Sequence, residues 1–277
     1  MKYQIEDYQA VGKRLKERLK LETEIVAIKY LKKRSEIPDG FIRPTKDNGE
    51  KVTNCRAIAA ARREGKKIAL TADDMPCMSI VGFGWGTAPV YTILKSQVTN
   101  KWNPNLWSVI RLNNKRYRLG GLRALWPFSM FSPYRGMMVS PLSSTPFVPD
   151  VASFWGLPVQ MAHIALSFSY EGKYVPRGVA CGLGDGCFSA GYVPLWSKNP
   201  VFAFGGFGDR AYAGAKDYEC TIGMPAKLVF YVDKFLFVSG GDHGLAPMLK
   251  NPPVKVDEDI LPGWRDVRNK LKVKKMQ

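Results

Sequence analysis

Five cysteines are the residues of this 277-residue chain with types and spacing best suited to chemistry. Asn54, directly before Cys55, and Asp73-Asp74, shortly before Cys77, are residues typical of a helix N-cap. The pattern predicts both cysteines in the first turn of a helix, where free N–H groups and the positive helix end favour a thiolate. Cys181 and Cys187 flank the five residues GLGDG, a loop able to fold around a ligand and offer it backbone N–H groups. Cys220 stands alone after Glu219.

Four thiolates can hold an iron–sulfur cluster, so the cysteines predict such a cofactor, with the four-iron form favoured. The spacing does not match the familiar Cys-x2-Cys-x2-Cys run, and the alternative is that the cysteines pack as small apolar residues. Zinc is less favoured, because the chain has two histidines and no paired Cys-x2-Cys knuckles. The first twenty residues carry no apolar signal region, and no stretch of 18 uncharged apolar residues follows. We therefore expect a cytoplasmic protein with reduced thiols.

Two further sites remain open. The segment Gly205-Gly206-Phe-Gly208-Asp-Arg210 can present backbone N–H groups and a guanidinium to an anionic ligand, or it can be a turn with its arginine in a structural ion pair.

Asp242 can orient His243 as a general base, although the two also suit an ordinary polar turn. With Cys187 as nucleophile this pair gives an alternative function, a thiol-dependent enzyme.

The charge pattern indicates anionic partners, because 41 Lys and Arg stand against 24 Asp and Glu, for a net charge of +17. Between Asp74 and Asp150 there is no acidic residue, and a basic aromatic insertion is predicted at roughly 95–132. An acidic electron-transfer protein such as a ferredoxin, or an anionic small molecule, fits this surface. Contact with an anionic membrane stays open, and so does a non-enzymatic binding module. Nucleic acid is not favoured, because no recognition signature is present.

The elements predict an α+β (mixed α/β) fold, with one domain over residues 1–250 and a charged tail over 251–277. The domain would hold a mixed sheet flanked by helices. The predicted helices are 4–20, Cys55–Glu64 with Asn54 as N-cap, one starting at Asp73-Asp74, 157–171, and 224–238 with Pro225 at its start. The predicted strands are 24–31, 67–71, 136–140, 150–155 and short ones within 177–215.

Several of these segments, in this order, are similar to the uncharacterised ArCR family (domain of unknown function family 169) of archaea and anaerobic bacteria. The resemblance covers most of residues 20–240 and is carried by EIVAIKYL, CRAIAAAR with Gly65, 70–84, 149–161, Cys187 with Pro194 and Pro200, 205–210 and 219–225. It implies that Cys55, Cys77 and Cys187 occupy positions of cofactor or metal ligands. Cys181 and Cys220 do not match clearly, which leaves the fourth ligand open between them. The stretch 95–132 is longer than the resemblance leads us to expect.

Overall fold

A seven-stranded mixed sheet forms the centre of the part of the chain that the computed structural model describes, residues 3–77, 83, 85, 132–169, 171–178 and 185–236. The spatial order is β2-β3-β1-β4-β7-β6-β5, and neighbours are antiparallel except for the parallel pair β5 and β6. The strands are β1 Val26–Leu31, β2 Ile68–Thr71, β3 Gly136–Pro141, β4 Val151–Gly156, β5 Arg177–Gly178, β6 Val201–Ala203 and β7 Cys220–Pro225.

Seven α-helices accompany the sheet within these residues, so the predicted α+β fold is confirmed. A short π-helical segment, Asp185–Ala190, precedes the fifth helix. The helices are α1 Ile5–Arg18, α2 Pro44–Asn48, α3 Asn54–Glu64, α4 Pro158–Ser169, α5 Val193–Ser197, α6 Phe207–Ala211 and α7 Leu228–Phe235.

The two faces of the sheet carry different layers. On one face, Ile28, Val139 and Val151 join Ala57 and Ile58 of α3 in the main core cluster, which also includes residues of the π-helical segment. Because strand residues alternate between faces, Phe154 and Ile222 point to the opposite side, where both are fully buried. There α4 packs against β4 and β7, and α7 packs against α4 and β7.

Three predicted boundaries differ from the structure. The N-cap of α3 is Thr53, and Asn54 is the first helical residue. The helix predicted from Asp73-Asp74 does not form over its first residues. Instead, Ala72–Asp74 is a single 3-10 turn, closed because the Asp74 carboxylate accepts hydrogen bonds from the Thr71 N–H and hydroxyl, both at 2.8 Å.

Cys77 follows this turn outside any described helix, so its prediction as a first-turn cysteine was wrong. The prediction for Met224 and Pro225 was also wrong, since both end β7 rather than open a helix. Met224 pairs with Ala152 of β4, and this sheet contact takes precedence over the tendency of proline to begin a helix.

The chain divides into two compact units, Met1–Val238 and Ser239–Gln277, and the described residues belong to the first. Residues 95–131 of the predicted insertion, Cys181, Asp242, His243 and the tail 251–277 lie outside the described residues. Among the described helices, none is long and apolar enough to cross a membrane.

Candidate functional site

The start of α3 is fixed by Thr53, whose hydroxyl accepts a hydrogen bond from the Arg56 N–H at 3.3 Å. This cap places Cys55 in the first turn, as the sequence predicts. Just before it, the Val52 N–H donates to the Asp74 carbonyl at 2.8 Å. That bond holds the segment that leads to Cys77 beside the beginning of α3.

Cys55 has a buried thiol, with 7% of the residue exposed. Its Sγ lies 3.2 Å from Thr53 Oγ1 and faces α6, where a Cβ added at Gly208 would lie 3.4 Å from the sulfur. Burial, the largest effect, raises the pKa of this thiol to about 12. The hydrogen bond with the Thr53 side chain lowers the pKa, whereas the charges of Asp209 and Cys77 raise it further. The thiol is therefore protonated near neutral pH, so an unassisted nucleophilic thiolate is not favoured at Cys55.

Cys187 reaches the same region from the π-helical segment, against which α3 and α6 both pack. It is 5% exposed and belongs to the main core cluster, and Cys77 packs against that cluster from its edge. The electrostatic influence of Cys77 on Cys55 places these two thiols near each other at the first turn of α3, whereas Cys187 packs in a core cluster that does not include Cys55.

Asp209 joins α6 to the π-helical segment. Its Oδ2 accepts hydrogen bonds from the N–H groups of Gly186 at 2.9 Å and Gly206 at 2.8 Å. Burial raises the pKa of Asp209, and the two N–H groups, Arg62 and Arg210 only partly offset this. The carboxylate therefore holds the backbone that carries Cys187 next to the backbone that faces Cys55.

Trp155 of β4 supports this arrangement from the sheet. A Cβ at Gly186 would lie 2.5 Å from the indole, which explains why only glycine fits there. The Arg62 guanidinium lies 4.5 Å from the ring centroid and makes two hydrogen bonds to Glu219, at 2.7 and 3.1 Å. This buried pair fixes the last turn of α3 against β4 and β7.

Several buried polar groups on this side of the sheet have no hydrogen-bond partner in the described part of the chain. Asn54 is 0% exposed, and both polar atoms of its side-chain amide are unpartnered. The hydroxyl of Ser189, in the π-helical segment, and the indole N–H of Trp85, in the main core cluster, are also unpartnered. We call the region formed by Asn54, Cys55, Cys77 and residues 185–190 the Cys55 corner.

Cys220 lies away from the Cys55 corner. It pairs with Gly156 across β4 and β7, and its thiol donates to the Gly156 carbonyl at 3.7 Å. The alternation along β4 puts residue 156 on the side of Phe154, opposite to Val151 and the main core cluster. Burial raises the pKa of Cys220 to about 11.

The predicted anion segment at 205–210 is largely occupied by its own contacts. The Arg210 guanidinium donates to the carbonyls of Phe204, at 3.2 Å, and Gly205, at 2.6 Å, and it contacts Asp217 at 3.3 Å. The N–H of Gly206 is bound to Asp209, and Gly208 contacts Cys55. These residues position α6 beside the Cys55 corner.

Sequence reasoning missed Asn54 as a member of the corner, because it predicted Asn54 only as an N-cap. A signal was present in the helical spacing: Asn54 lies on the same stripe as Ala57, Ile58 and Ala61, which pack in the main core cluster. That stripe indicates a buried position, and Asn54 is 0% exposed.

The described residues contain no three His, Cys, Asp or Glu side chains placed to hold one metal ion. Cys55, Cys77 and Cys187 are therefore not placed to share one metal ion in the described part of the chain. The remaining cysteine, Cys181, precedes Cys187 by six positions in the sequence.

Comparison with known proteins assigns the family. Residues 14–230 match the uncharacterised ArCR family, a domain of unknown function, and the chain belongs to this family. Among curated proteins, it is similar to the uncharacterized protein MJ0308 of Methanocaldococcus jannaschii, with 25% identity over 215 residues, which cover 77% of this chain and 87% of the relative. No solved structure shows a significant match.

Proposed function

We propose that this chain is a cytoplasmic redox protein that binds an iron–sulfur cluster in the Cys55 corner. The observation that carries the proposal is that Cys55 and Cys77 lie near each other at the first turn of α3, which packs against the π-helical segment that carries Cys187. Such a cluster supplies one-electron transfer when it is bound.

The chemistry of the corner fits this group. A buried thiol with a pKa of about 12 carries a proton that iron would displace, and thiolates are the ligands that iron–sulfur clusters take. The unpartnered side-chain N–H group of Asn54 is a donor of the kind that such sulfurs accept. Because the described thiols do not by themselves provide four ligands, we propose Cys181 as the fourth ligand.

Cys220 has no part in the proposed site, because it faces the opposite side of the sheet. The electron partner that we propose is an acidic electron-transfer protein, with an anionic small molecule as the substrate. Support comes from the net charge of +17, which attracts negatively charged molecules over distances of about 10 Å at moderate salt.

The test is a set of five single Cys→Ser variants, purified without oxygen and compared in bound iron and visible absorbance. We expect C55S, C77S, C187S and C181S to lose most of the iron, whereas C220S retains it. Thermal unfolding of the iron-free variants controls for misfolding. Loss of iron in C220S alone, or equal iron in all five variants, would contradict the proposed ligand set.

A further inference from the structure

A cleft outside the Cys55 corner is lined by residues between Arg34 and Asp47. Its volume is about 470 Å³, which lies within the range of about 300–1,000 Å³ that is typical of small-molecule sites. Its charged lining residues are the basic Arg34, Arg43 and Lys46 and the acidic Asp39 and Asp47. We propose that this cleft, which we call the Arg43 cleft, binds a small phosphate monoester that also carries hydroxyl groups. The proposal does not depend on the iron–sulfur cluster of the proposed function.

The wall of the Arg43 cleft is anchored to the edge strand β2. The Ile42 N–H donates to the Lys67 carbonyl at 2.9 Å, and the Ile42 carbonyl accepts from the Ala69 N–H at 3.0 Å. Next to it, Phe41 is 8% exposed and its ring centroid lies 6.0 Å from that of Phe147. These contacts hold the segment that leads into Arg43, so the site is largely formed before a ligand arrives.

Arg43 gives the cleft a fixed positive charge. Its side chain is 12% exposed, and its Nη2 donates to the Asp74 carboxylate at 3.2 Å. Its Nε is buried without a partner in the described residues, and its Nη1 donates to no atom of those residues. A carboxylate ligand typically takes two neighbouring guanidinium nitrogens, but here one is bound to Asp74 and one is buried. The remaining Nη1 suits a single bond to one oxygen of a phosphate group.

Lys46 and Arg34 supply further donors. Lys46 is exposed and makes no ion pair within the described part of the chain. Its ammonium is a compact charge of the kind that binds phosphate. Arg34 contacts Asp73 at 3.1 Å, but both side chains are more than half exposed, so this pair is weak and open to exchange. A phosphate monoester carries a charge of about −1.5 to −2 at pH 7 and three acceptor oxygens, which matches separate donors better than a planar carboxylate does.

The two acidic residues restrict the rest of the ligand. The Asp47 carboxylate already accepts a hydrogen bond from the Arg43 N–H at 2.7 Å. Asp39 is exposed and has neither a hydrogen bond nor an ion pair with another described residue. An ionised carboxylate only accepts hydrogen bonds, so Asp39 favours hydroxyl groups on the ligand and repels a second phosphate. The charges therefore favour a monoester of a polyol or sugar over a ligand with several phosphates.

The experiment measures binding to the full chain by isothermal titration calorimetry at low ionic strength, where exposed charges are screened least. The titrants are glycerol 3-phosphate, ribose 5-phosphate, glucose 6-phosphate and inorganic phosphate. We expect at least one ester to bind more tightly than inorganic phosphate. Lys46→Gln removes a charge-assisted hydrogen bond, so the affinity for that ester should fall by about tenfold. In Asp39→Ala the preference for the ester over inorganic phosphate should fall by about fivefold, because an acceptor for its hydroxyl groups is lost.

Lys13→Gln is the matched control. Lys13 is exposed on α1 and does not line the Arg43 cleft, and its substitution makes the same change in net charge as Lys46→Gln. The affinity for the ester should therefore stay as in wild type. Because both lysines are exposed, neither variant should impair folding.

An ester affinity that falls in Lys46→Gln and is kept in Lys13→Gln supports the Arg43 cleft as the site. No saturable binding of any of the three esters in the millimolar range would overturn the proposal. An equal loss in both lysine variants would also overturn it, because it would indicate a general attraction to the net charge of +17. Equal affinity for inorganic phosphate and for every ester would overturn the role of Asp39. None of these variants changes a cysteine, so failure here leaves the proposed function standing, and iron-free wild-type protein would leave this result standing.

Discussion

The buried ion pair between Arg62 and Glu219 offers the sharpest test of how the Cys55 corner is supported. Arg62 is 2% exposed, and its guanidinium donates two hydrogen bonds to the carboxylate of Glu219, which is 8% exposed. The Glu219 carboxylate also accepts from Arg63 at 3.0 Å and from the Lys216 N–H at 2.8 Å. The substitution Glu219→Gln removes the negative charge but keeps the shape of the side chain.

The expected loss is large because the arginine stays buried. Removing one partner of a buried pair typically costs about 3–5 kcal/mol, since the remaining charge has no compensation. Glutamine can still accept one hydrogen bond, and the stacking of Arg62 on Trp155 remains, so the lower part of that range is expected here. At about 2–4 °C per kcal/mol, the melting temperature should fall by about 6–12 °C for a loss of about 3 kcal/mol.

The assay is urea unfolding of the iron-free protein, followed by far-UV circular dichroism, with Asp217→Asn as the control. Asp217 pairs with Arg210 at 3.3 Å but its side chain is 99% exposed, so its loss should change the free energy of unfolding little. A loss below about 1 kcal/mol in Glu219→Gln would mean that water or another anion compensates Arg62, and the reasoning about a buried pair would be refuted.

Three other changes test the same region. Burial alone would raise the pKa of Glu219, but the hydrogen bonds from Arg62 and Lys216 outweigh it, so the pKa is lowered. The charged carboxylate therefore stabilises the fold above its ordinary pKa of 4.5, and this stabilisation should disappear as pH falls through the folded pKa. The free energy of unfolding measured against pH checks this. Burial raises the pKa of Asp209 in the folded protein above its ordinary value of 3.8. The free energy of unfolding should therefore decrease as pH rises from 3.8 through the folded pKa, and Asp209→Asn should remove this decrease. Gly186→Ala should destabilise the protein by about 1–3 kcal/mol in urea, because its Cβ would lie 2.5 Å from the Trp155 ring.

Local patterns were sufficient to predict most of the elements. The helical spacing of Tyr8, Val11 and Leu15 matches the buried stripe of α1, and the β-branched residues around Ile28 form the central strand β1. Gly65, predicted to end α3, does so with a φ of 69°. These features depend on residues close together in sequence.

The site depended on contacts that sequence spacing does not contain. Asp209 matters because it binds the N–H of Gly186, 23 positions away. Cys220 pairs with Gly156 across β4 and β7, and this register places it on the face of the sheet opposite to the main core cluster. A register shift of one residue would move its side chain to the other face. Pro225 is typical of a helix start, and only its pairing with Val151 of β4 shows that it ends a strand. The register between strands that are distant in sequence therefore decides on which face of the sheet Cys220 lies.

The decisive measurement is the content of iron and acid-labile sulfide per chain, taken together with the visible spectrum, in wild-type protein purified without oxygen from iron-supplemented cells. We expect about four irons and about four sulfides per chain, with a broad band near ~400 nm. Colourless protein without iron or sulfide, still folded by circular dichroism, would contradict it and leave the cysteines of the corner as packed thiols.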